Sequence, residues 1–162
     1  MALGKKARGG ARKRGTRGLT AADFRGYLVA KAAEVAPTDV TALVARRATL
    51  SRRAATDRNE RPLFARRVGV AVGLLADHMR GRCPQIPLST VSLLAAALFY
   101  YLDPIDVIPD FIPRVGTVDD ALMLELACTL GADGLRRYCE AVGIETGEIV
   151  PRKQRRAGRR GA

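Results

Sequence analysis

Tryptophan is absent from the 162 residues, histidine occurs once, and aromatic residues make up only 5% of the chain. A core must therefore be assembled mainly from Ala, Val, Leu and Ile, and a base-stacking surface is poorly supplied. The lone His78 leaves no H-x-x-x-H metal pair, and neither a G-x-S-x-G elbow nor a P-loop occurs. Cysteine is scarce too: Cys83, Cys128 and Cys139 are odd in number, widely spaced and form no C-x-x-C pair. That pattern argues against a disulfide framework and suits a reducing compartment. No alternation of period two is long enough to demand a sheet.

Acids are missing from both ends. Residues 1–18 hold Lys5, Lys6, Arg8, Arg12, Lys13, Arg14 and Arg17, and residues 151–162 hold Arg152, Lys153, Arg155, Arg156, Arg159 and Arg160. These bases account for the whole formal charge of +12. Both segments lack the apolar residues to order themselves and read as disordered tails. No apolar stretch follows the first, so it does not read as a secretory signal. Between the tails the charge is split. Residues 40–82 carry ten Arg against Asp57, Glu60 and Asp77, whereas residues 103–148 carry ten acids against Arg114, Arg136 and Arg137. Halves of opposite sign attract within one fold or between two copies.

Helical period fills residues 19–150, which read as one domain. Thr20, with Asp23 three residues on, resembles a capping box; Phe24, Leu28 and Val35 follow until Pro37. A second helix is expected from Thr38 or Asp39, with Val40, Leu43, Val44 and Leu50 on one face and Arg46, Arg47, Arg52 and Arg53 largely on the other. Pro62 suits the first turn of a third, whose stripe is Phe64, Val68, Val72, Leu75 and Met79. Gly69 and Gly73 either weaken that helix or admit a neighbour. Residues 88–102 are apolar all round, as in a helix buried in protein or in lipid. Thr117 with Asp120 again resembles a cap, Leu122, Leu126 and Leu130 align after it, and Leu135 to Val142 reads as a last helix closed by Gly143. The expected fold is an all-α bundle of about five helices.

Residues 97–124 read ALFYYLDPIDVIPDFIPRVGTVDDALML. This segment closely resembles the YkvA-like family, domain of unknown function 1232, whose pattern is an apolar helix ending in an aromatic followed by P-x-D-x-I-P-D-x-x-P-x-x-G-x-x-D-D-A. The matching positions are Tyr100, Pro104, Asp106, Ile108, Pro109, Asp110, Pro113, Gly116, Asp119, Asp120 and Ala121. Asp103 and Arg114 depart from the family's more usual Ser and Gly. The resemblance covers about a quarter of the chain and implies a helical hairpin at about residues 86–130, among relatives frequently described as membrane proteins, with no agreed enzymatic activity. Pro104, Pro109 and Pro113 fix φ and remove donors, so this stretch cannot continue a helix. It is expected to reverse the chain. Asp106 and Asp110 then serve as turn acceptors, and Asp119 and Asp120 complement a helix dipole. The competing reading converges Asp103, Asp106, Asp110, Asp119 and Asp120 on a divalent cation.

Residues 86–102 are 17 without a charge. As a helix they reach about 25 Å, short of the roughly 30 Å of hydrocarbon in a bilayer. One short span, a shallow hairpin and a buried central helix all fit. Arg80 and Arg82 before the run and Asp103 and Asp106 after it would set its N-terminal end in the cytoplasm. The expected role is a non-enzymatic accessory or scaffold protein, attached through its basic tails to an anionic membrane surface on the cytoplasmic side. The alternatives are a non-specific nucleic-acid binder using the same arginines, free in the cytoplasm, and a metal-dependent enzyme using the Asp set. No cofactor is expected.

Overall fold

The computed structural model describes residues 20–102 and 118–152; the side chains of Val118 and Asp119 are outside that description. The first tail, the connector at 103–117 and all of the last tail beyond Arg152 therefore lie outside the described residues, as does the expected Thr117 cap. The described residues contain eight helices and no strand. They are α1 (Ala21–Glu34), α2 (Pro37–Ala45), α3 (Arg47–Asp57), α4 (Pro62–Met79), α5 (Leu88–Leu102), α6 (Val118–Leu130), α7 (Ala132–Val142) and the single turn α8 (Thr146–Ile149).

Local signals start and stop these helices. The Thr20 backbone N–H donates to Asp23 Oδ2 at 2.7 Å and the Asp23 N–H to Thr20 Oγ1 at 3.3 Å, which completes the expected capping box. Pro37 ends one helix and begins the next, so α2 starts one residue earlier than Thr38; Asp39 Oδ2 accepts from the Ala36 N–H at 2.7 Å. Gly81 (φ 67°) and Gly143 (φ 74°) take the left-handed conformation that closes α4 and α7. After each, the next N–H reaches back five residues, from Arg82 to the Asp77 carbonyl at 2.9 Å and from Ile144 to the Cys139 carbonyl at 2.8 Å.

Two expectations need correction. The single helix expected after Pro37 is divided at Arg46 (φ −92°, ψ 12°), which raises the helix count without any glycine or proline at the break. The last long helix begins at Ala132, not Leu135, so Gly134 sits inside α7. There an added Cβ would lie 2.9 Å from Thr90 Cβ and collide with Thr90 Oγ1, so the backbone of α7 lies directly against the Thr90 side chain of α5 at that point. Gly73 plays a milder part, making room for the Tyr138 hydroxyl, while nothing lies against Gly69.

The bundle is built around α5. Eleven of its fifteen residues are buried, and it packs against α1, α2, α4, α6 and α7. Residues 88–102 are therefore wrapped by their own chain, and no helix among the described residues is long and apolar enough to cross a membrane. α6 runs antiparallel to α5: Leu130, at its end, lies beside Ser89 and Leu93, and Gly131 meets Thr90. The chain doubles back between Leu102 and Val118, as the prolines predict. The buried face of α6 is Asp120, Met123, Leu124, Ala127 and Cys128, whereas Leu122, Leu126 and Leu130 are only partly buried.

All three cysteines are free and buried, and burial raises each thiol pKa, that of Cys128 to about 12. Buried protonated thiols are poor nucleophiles. A thiol reagent added to the folded protein should therefore titrate almost no cysteine over minutes and three equivalents in guanidinium; prompt labelling before denaturation would show that the core is open.

Candidate functional site

The α5 hairpin has two unlike ends. At the end where the signature begins, Tyr101 donates its hydroxyl to Asp57 Oδ2 at 2.7 Å, and Arg61 approaches the same carboxylate at 3.1 Å. Arg53 lies 4.6 Å over the Tyr101 ring and donates to the Leu102 carbonyl at 3.2 Å. Phe64 meets Tyr101 edge-on, its centroid 5.1 Å away, and Arg61 covers Phe64 at 4.1 Å. A cation on the last carbonyl of α5 also opposes the negative end of its dipole. The cluster thus clamps the final turn of α5 immediately before the connector. Its phenol is already committed to a carboxylate, an arrangement for holding a position rather than for attack on a substrate.

Sequence reasoning missed this cluster. Its signal is the spacing of Arg53, Asp57 and Arg61, four residues apart, which brings the three together where α3 gives way to α4. Of the signature residues, Tyr100 (3% exposed) and Asp120 (8%) are buried at this same end, Tyr100 in the last turn of α5 and Asp120 in the first turn of α6. Pro104, Asp106, Ile108, Pro109, Asp110, Pro113 and Gly116 lie outside the described residues, as does the Asp119 side chain. The cation reading of the acids falls largely on those positions; among the described residues no three His, Cys, Asp or Glu side chains gather to hold a metal.

A second buried contact ties the chain's later part to α4. Arg67, 9% exposed, donates from Nε to the Ile149 carbonyl at 3.1 Å and from Nη2 to the Glu148 carbonyl at 3.3 Å, satisfying the end of α8. Beside it Arg66 pairs with the Glu148 carboxylate at 2.7 Å, one contact between the basic and acidic halves. Near the other end of α4, Tyr138 donates to Asp77 at 2.9 Å.

Burial first, and then the hydrogen bond to a carboxylate, raise the pKa of Tyr101 and Tyr138 above the ordinary phenol value of 10. The folded state therefore keeps these groups and Cys128 protonated at pH values where the unfolded chain ionises them. Unfolding then releases protons. The stability these groups contribute is intact below about pH 8 and falls as pH rises through the ordinary thiol and phenol values. Urea midpoints should drop between about pH 8 and about pH 11, and Tyr101→Phe should flatten part of that drop. An unchanged slope in the variant would show that Tyr101 is not the titrating group.

The opposite end gathers the N-terminal end of α5 with the C-terminal ends of α1, α4 and α6. Two clefts of about 380 and about 440 Å³ open there, sharing Val35 and Ser92. Around them stand Leu88 (69% exposed), Val29 (49%) and Met79 (43%), three of the four exposed large apolar side chains among the described residues. Met79 closes the expected α4 stripe, yet it faces outward here. The half-buried His78 lines the smaller cleft. Of the proposed tail contacts only Arg152 is described, and it is exposed.

Fold and site together define an all-α bundle organised around a helical hairpin whose first helix is sealed inside the protein. Residues 90–126, from the first turn of α5 into α6, match the family model described as "Protein of unknown function (DUF1232)". That match agrees with the resemblance to the YkvA-like family over this segment, which is about a quarter of the chain. The chain's similarity to the "Uncharacterized membrane protein YkvA" of Bacillus subtilis (strain 168) is 40% identity over 65 residues, which is 40% of this chain and 61% of the relative. No solved structure matches.

Proposed function

We propose that the protein is a non-enzymatic accessory or scaffold that attaches to an anionic membrane surface on the cytoplasmic side. The observation carrying this reading is the enclosure of α5: the stretch best suited to lipid is spent on the core, so attachment falls to the surface. That surface carries cations at the turn from α4 into α5, where Arg80 and Arg82 are exposed, and the sequence adds acid-free basic tails. Clusters of Lys and Arg draw proteins to anionic lipid, each base near the surface contributing about 1 kcal/mol. The relative from Bacillus subtilis, called a membrane protein, supports the same reading.

The test is co-sedimentation of the full chain with phosphatidylcholine vesicles, with and without phosphatidylglycerol. Binding that needs the anionic lipid and weakens with salt supports surface attachment. In cells, release of the pellet by salt supports it further, and resistance to both salt and carbonate would contradict it. The same arginines motivate a second reading, non-specific binding of nucleic acid. Salt-sensitive retention on DNA with none on anionic vesicles would favour that reading instead.

A further inference from the structure

We propose that the apolar tip at the N-terminal end of α5 is an insertion device that seats Leu88, Met79 and Val29 in the headgroup–acyl boundary of an anionic bilayer; this rests on the membrane reading above. Four exposed large apolar side chains scattered at random would need no account. Three at one end of the bundle, bordering two adjoining clefts, form a patch.

The chemistry around the patch selects its occupant. Arg80 and Arg82 are exposed on the turn that carries α4 into α5; Arg82 also approaches the half-buried Asp77 at 3.7 Å, a long contact that leaves most of its guanidinium in solvent. Gly81, at φ 67°, closes α4, and Met79 and Leu88 on either side of the connecting segment both line the smaller cleft. Apolar side chains beneath flanking arginines match the layering of an anionic interface, where guanidinium groups reach phosphate while aliphatic groups enter the acyl boundary. The chain's own tails are a poor alternative, since they are built mainly of Lys, Arg, Gly and Ala, and Met1 and Leu3 are their only large apolar residues. The tip and the clamp around Tyr101 occupy opposite ends of α5.

The absence of tryptophan makes the test clean, because a single introduced indole is the only one in the chain. Leu88→Trp at the tip is compared with Thr56→Trp near the opposite end, both exposed positions, in the full-length protein. With phosphatidylglycerol-containing vesicles the Leu88→Trp fluorescence should shift to the blue and be quenched by brominated phospholipid, and Thr56→Trp should do neither. The double variant Met79→Ser/Leu88→Ser should lower vesicle partitioning at least about tenfold. Co-sedimentation with no quenching at position 88 would overturn insertion while leaving arginine-mediated attachment standing. Equal quenching at both positions would overturn an oriented tip. A blue shift without vesicles that grows with protein concentration would assign the tip to a second copy of the chain. No co-sedimentation at all would remove both readings together.

Discussion

Replacing Gly134 by alanine is expected to lower the melting temperature by roughly 5 °C, the reverse of what the same change does in an open helix. An interior helical glycine normally costs about 0.5–1 kcal/mol relative to alanine, so the substitution should stabilise. Here the new Cβ would strike Thr90 Oγ1 and come within 2.9 Å of its Cβ and 3.0 Å of its Cγ2. Thr90 is 2% exposed and sits in the first turn of α5, so it has no solvent side to move into. Forcing extra volume into such a contact costs about 1–3 kcal/mol, which outweighs the propensity gain. Gly26 supplies the control: nothing lies within 4 Å of its added Cβ, and Gly26→Ala should stabilise α1 by a few tenths of a kcal/mol or more. A cycle with Thr90→Gly should recover most of the loss. If both glycine variants stabilise, α5 and α7 are not in close contact.

The second large effect separates a core helix from a lipid-facing one. Leu94 and Leu98 are fully enclosed, whereas Leu88 on the same helix is 69% exposed. In aqueous buffer Leu98→Ala should cost about 3–5 kcal/mol, through lost transfer energy and the cavity left behind. Leu88→Ala should change stability by no more than about 0.5 kcal/mol. Denaturant midpoints read without detergent measure both. Similar small costs at the two positions would mean that α5 is not packed inside the protein.

Much of the fold was legible where chemistry is local. The α4 stripe, the Thr20 box, the Gly143 stop and the reversal after α5 all follow from spacing, caps and proline. Other features depend on what packs where. Apolar residues nearly surround α6, so its period does not select a face, and burial fell on Met123, Leu124, Ala127 and Cys128 rather than on the aligned leucines. The break at Arg46 has no breaker residue, and Gly134 reads as an interruption before the last helix until Thr90 is found against it. Likewise the contacts of Arg53 and Asp57 with Tyr101 join residues more than forty positions apart, which no local pattern encodes.

A distance between the ends of the hairpin decides the rest. Spin labels at Ser89 and Thr129, both exposed, report whether α6 returns alongside α5. The two positions sit beside the cleft shared by Ser89 and Leu130, so dipolar spectroscopy should give a short separation, under about 25 Å including the labels. An unbroken rod from residue 89 to residue 129 would place them about 60 Å apart at 1.5 Å per residue, and a distance in that range would contradict a core helix enclosed by its own chain.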